Sequence, residues 1–70
     1  MIMSDRNLIN VESVGHLSAR CNEPLGRVLK ATRALGIGPA LTIDNVDHLA
    51  ERDAQRVAEY LAEARTRRQG

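Results

Sequence analysis

Seventy residues, 43% hydrophobic and 27% charged with a formal net charge of +1, suit one small folded domain and exclude a charged disordered tail. A domain this short buries only ~60% of the surface of its unfolded chain, so its core is expected to contribute no more than ~3–5 kcal/mol. The single aromatic residue, Tyr60, excludes a base-stacking platform for single-stranded nucleic acid, and the lone Cys21 excludes an internal disulfide.

No apolar run approaches the ~20 residues of a membrane span, and Asp5, Arg6 and Asn7 break any signal-peptide pattern. The expectation is a soluble, cytoplasmic protein with no membrane partner. Residues 1–7 read as a frayed leader. Leu8-Ile9-Asn10-Val11 is an apolar, partly β-branched run, too brief for a helix, and suits a short strand or an extended segment over the core.

Ser13 can accept hydrogen bonds from the free amides of a first helical turn, which makes it the expected N-cap of a helix carrying Val14, Leu17, Ser18 and Cys21 on its inner face. Asn22 tolerates the left-handed conformation that ends a helix, and Pro24 is preset for the first position of the next. Leu25, Val28, Leu29, Thr32, Leu35 and Gly36 form the expected inner stripe of that second helix, while Glu23, Gly26, Arg27, Lys30 and Ala34 point outward and Arg33 lies to one side. Gly36-Ile37-Gly38-Pro39 ends it.

Asp44-Asn45 then accepts a primed two-residue turn, which would set Ile43 opposite Val46 and Leu41 opposite His48 in a small hairpin. From Glu51 to about Arg67, the stripe Ala54, Val57, Ala58, Leu61 and Ala64, bordered by Tyr60, predicts the clearest helix. Its early acids Glu51 and Asp53 and late bases Arg65, Arg67 and Arg68 both complement the helix dipole, and Glu63 can pair with Arg67. Residues 66–70 read as a basic tail, which either touches phosphates or caps and solubilises the helix.

The order helix, turn, helix, hairpin, helix resembles the winged helix-turn-helix of the MerR and excisionase-like group. The resemblance rests on Val14-Gly15-His16-Leu17-Ser18-Ala19-Arg20 as first helix, Asn22 at the turn, Leu25, Val28 and Leu35-Gly36-Ile37 in the second helix, Pro39 to Val46 as wing, and Glu51 to Val57 as the charged start of the last helix. It implies a single domain over residues 1–70, mainly α with a small β-hairpin, that binds double-stranded DNA by inserting the second helix into the major groove. The role implied is that of a small transcription regulator or an excisionase-like architectural factor. The sequence departs from the family in Glu23, where an apolar residue is common, and in a wing carrying Asp44 and Asp47 without Lys or Arg.

On that reading Arg27 contacts a base edge, Arg20, Lys30 and Arg33 hold phosphates, and small Gly26 lets the helix approach closely. One module covers few base pairs, so a homo-oligomer or a larger protein complex is expected to supply specificity. The competing reading is a protein-interaction module, such as an adaptor or phage-type inhibitor, that keeps the scaffold without binding DNA. The acidic hairpin, Glu23, the low net charge and outer alanines at Ala31 and Ala34 speak for it.

Enzymatic chemistry has no support in the sequence: no phosphate-cradling glycine loop and no nucleophile–base pair can be assembled. His16, Cys21 and His48 lack the paired spacing of a zinc site, and no metal or cofactor is expected. Cys21 reads as a small buried apolar residue and His48 as a partly buried hairpin residue.

Overall fold

A computed structural model describes residues 10–69. They form β1 (Val11–Ser13), α1 (Val14–Cys21), α2 (Leu25–Leu35), β2 (Leu41–Ile43), β3 (Val46–Ala50) and α3 (Glu51–Gln69), a mainly helical arrangement with a three-stranded antiparallel sheet in the order β1-β3-β2. The expected leader, together with Leu8 and Ile9, lies outside the described residues. Of the apolar run, Val11 belongs to β1, which runs directly into the helix cap.

Ser13 serves two elements. It pairs with His48 in the sheet, and its Oγ accepts the His16 amide at 3.0 Å, closing the first turn of α1. At the other end Asn22 takes φ 56°, and the amides of Asn22 and Glu23 return to the carbonyls of Ala19 and Ser18 at 3.2 and 3.1 Å. That double return satisfies carbonyls which the helix itself leaves free.

Gly36 repeats the device after α2 at φ 69°, where the amides of Gly36 and Ile37 bond Arg33 and Thr32. An L side chain in that conformation costs roughly 1–2 kcal/mol. Gly36→Ala is therefore expected to lower stability by about that amount in a urea titration, although a Cβ there would meet no neighbour. Pro24 sits one residue earlier than expected: it caps α2 in extended conformation, and Leu25 is the first helical residue.

The hairpin has the expected register. Ile43 faces Val46, Leu41 faces His48, and Asp44 and Asn45 both take positive φ, 50° and 65°. Two consecutive left-handed residues match the right-handed twist of the strands they join. α3 runs to Gln69, so Thr66, Arg67 and Arg68 belong to the helix and not to a separate tail. None of the described helices is long and apolar enough to cross a membrane.

Val14, Leu17, Val28, Ala31, Leu49, Ala54, Val57 and Leu61 form the core, with one or more residues from each helix and one from β3. Three stripe assignments need correction. Leu25 is 44% exposed and Gly36, the C-cap, is exposed as well, whereas Ala31, expected on the outside, is 2% exposed. α2 packs against both α1 and α3, so its buried surface is wider than the single stripe a helix pair would need.

Candidate nucleic-acid interface

The residues expected to contact DNA fall in three places. Gly26, Arg27 and Lys30 line one groove of about 470 Å³ between α2 and α3, together with Ala34, Tyr60, Ala64 and Arg68. Arg33 is exposed in the last turn of α2, outside that groove. Arg20 lies elsewhere, beside β1 and the start of α3.

Arg20 is already engaged. Its Nε and Nη2 each donate to one carboxylate oxygen of Glu12 at 2.9 Å, a bidentate pair tying α1 to β1. His16 Nδ1 meets the same carboxylate at 2.7 Å. The Arg20 fork holds the Glu12 carboxyl below its ordinary value, against a smaller opposing effect of burial. A carboxylate pKa depressed in the folded state stabilises above the unfolded value and loses that contribution as pH falls through the folded value. Thermal melts of Glu12→Gln should therefore lie below those of the parent at neutral pH and converge with them on acidification below about pH 4.

Glu23 differs most from expectation. Helical spacing directs it to the outer face of α2, yet its side chain is only 5% exposed. Arg65 of α3 donates to Glu23 Oε2 through Nη2 at 2.7 Å and Nε at 3.1 Å, and the same Nη2 reaches the carbonyls of Cys21 and Asn22 at 2.9 and 3.1 Å. Arg27 and Arg68 stand farther from the carboxylate, at 3.5 and 3.6 Å. The Arg65 hydrogen bonds, outweighing burial, hold the Glu23 carboxyl below its ordinary value. Its negative charge also lies at the N-terminus of α2, where the helix dipole favours it. Ser18 Oγ donates to the Glu23 carbonyl, so the whole elbow between α1 and α2 is hydrogen-bonded.

The basic face that remains free is small. Lys30 and Arg33 make no ion pair or side-chain hydrogen bond among the described residues, and exposed Arg27 has one long contact to Glu23. Arg68, read from the sequence as part of a tail, lines the groove instead. The i, i+4 spacing of Tyr60, Ala64 and Arg68 was the signal for that placement.

Cys21 is partly buried against the core, and burial pushes its thiol pKa up, which leaves it a poor nucleophile. Among the described residues no group of three or more His, Cys, Asp or Glu side chains is placed to hold a metal ion. Compared with known proteins, the chain matches no family model, no curated protein and no solved structure.

Proposed function

We propose that this chain is a small winged helix-turn-helix domain that binds double-stranded DNA, as a transcription regulator or an excisionase-like architectural factor. The observation that carries the reading is the exposed edge of α2. Arg27, Lys30 and Arg33 project from a helix whose opposite side is buried, and small Gly26 and Ala34 lie among them. In chain order the Asn22–Pro24 elbow precedes this helix and the β2–β3 hairpin follows it, the order of turn and wing in such a domain.

In this mechanism α2 enters the major groove. Arg27 offers a planar fork to a guanine edge, while Lys30 and Arg33 hold phosphates and set register. Arg20, held by Glu12, orients α1 and makes no DNA contact. The hairpin, with Asp44 and Asp47, would be repelled by phosphates and serves as a support beside the groove.

Fluorescence anisotropy on duplex DNA at two salt concentrations tests this. Each phosphate neutralised adds roughly −0.9 to the slope of log affinity against log salt. Lys30→Ala should reduce the slope by about 1, and Arg27→Ala should flatten the preference among sequences, a loss on the order of 1–3 kcal/mol at the base it reads. Absence of binding at low salt would overturn the reading.

A further inference from the structure

The apolar tip of the hairpin takes no part in the proposed DNA contact and packs on no other element among the described residues. Ile43 and Val46 are 51% and 40% exposed and face each other across the turn, so they present one apolar pair on one side of the ribbon. Asp44 adds an exposed carboxylate at the turn itself. An exposed apolar pair at the end of a two-stranded edge is the kind of feature that soluble domains ordinarily blunt with Lys or Pro. Here the charge beside it is acidic.

The α2–α3 groove has the opposite character. Buried Ala31 and Leu61 lie at its base with Ala34, Ala64 and Tyr60 beside them, and its rims carry Arg27, Lys30 and Arg68. Glu23, outside the groove, stands 3.5 Å from Arg27 and 3.6 Å from Arg68, whereas Lys30 has no anionic partner among the described residues. An apolar floor between cations fits an apolar knob that carries a carboxylate.

We propose that the Ile43–Val46 hairpin tip of one copy docks into the α2–α3 groove of a second copy, with Asp44 meeting the cations on the groove's rim. Ile43 and Val46 cover the apolar floor, and Asp44 supplies the counter-charge that Lys30 lacks. The contact is heterologous, with a different surface used on each copy, so every assembly keeps one free tip at one end and one free groove at the other and grows head to tail. The tip is small against the ~800 Å² per partner of a standard interface, so the association is weak and needs high protein concentration. Because Arg27 and Lys30 belong to both surfaces, duplex DNA and a second copy compete; this consequence rests on the DNA-binding reading, whereas the self-association does not.

Two dead-end variants of the full chain test the contact by sedimentation equilibrium from about 10 μM to 1 mM, concentrations at which interfaces of low affinity are populated. The tip variant Ile43→Thr/Asp44→Asn/Val46→Thr keeps strand propensity and a residue that tolerates positive φ. The groove variant Lys30→Glu/Ala34→Glu changes exposed helical positions only. The expected result is that the parent's average mass rises with concentration and falls with added salt. Each variant alone should stay monomeric with the parent's circular dichroism, and an equimolar mixture should form a dimer and nothing larger.

A monomeric parent across the whole range would overturn the proposal. So would a tip variant that associates like the parent, or a mixture that stays monomeric. If the self-association is present, adding duplex should disperse it. Failure of DNA to bind then removes the DNA reading and leaves the docking intact.

Discussion

Leu17→Ala is expected to abolish the cooperative thermal transition of this domain, or to lower its midpoint so far that a large fraction is unfolded at 37 °C. Leu17 is 0% exposed and sits in α1, which packs against α2, α3 and β3. Leu-to-Ala truncation in a core costs about 2–5 kcal/mol, the larger values where the surroundings cannot collapse into the cavity. The neighbours here are elements fixed by caps, strand pairing and the Glu23–Arg65 tie, so collapse is restricted. A domain of this size has only ~3–5 kcal/mol to lose. Leu25→Ala provides the control, because its side chain is 44% exposed and a surface truncation of that kind stays within about 0.5 kcal/mol. Circular dichroism melts of the two variants check both the packing of α1 and the rotation of α2. Similar losses from both would mean that Leu25 faces inward.

The parts of the fold visible in the sequence are those specified locally. Ser13, Asn22 and Gly36 each bond, or free, backbone groups within five residues of themselves, so their chemistry alone marks where helices begin and end. The hairpin register followed from Asp44-Asn45 for the same reason: once two positive-φ residues form the turn, Ile43 must face Val46. Glu23 and Ala31 were misplaced because their environment comes from α3, which is remote in the chain. A helical wheel assigns one inner face, and α2 has neighbours on two sides.

The candidate interface was legible in the same uneven way. Helical spacing brings Gly26, Arg27 and Lys30 to one groove, whereas Arg20, joined to them by charge, lies beside β1. Its pairing with Glu12 spans eight positions and a strand-to-helix junction, and has no helical or strand period to reveal it. The Arg65–Glu23 pair spans 42 positions and has no local signature at all.

That pair leads to the second large effect. Arg65→Ala should destabilise the domain more than Glu23→Gln does, although the two residues form one ion pair. Removing Arg65 leaves a carboxylate, 5% exposed, with only the longer contacts of Arg27 and Arg68, and also strips a donor from the Cys21 and Asn22 carbonyls. A nearly buried charge without its main partner is more costly than the pair's absence. Glu23→Gln keeps the shape and a hydrogen-bond acceptor, and leaves Arg65 its two carbonyls. Arg65→Lys should recover little, because a single ammonium cannot reproduce a fork that bonds one carboxylate and two carbonyls together.

Acid provides a further check on the cause. Arg65 depresses the Glu23 pKa, so the pair stabilises above the ordinary carboxylate range and its contribution fades as pH falls through the lower, folded value. The gap in midpoint between parent and Arg65→Ala should therefore be widest near neutrality and narrow on acidification. Glu23→Gln, which has no proton to take up there, should converge with the parent over the same window. In a double-mutant cycle the combined variant should lose less than the sum of the single losses, because Arg65→Ala costs most where the Glu23 charge is present. Strict additivity, or an Arg65→Ala penalty that does not change with pH, would mean that Arg65 acts through the two carbonyls alone. α3 would then be held to the elbow by hydrogen bonds to the backbone, with the buried carboxylate as a bystander.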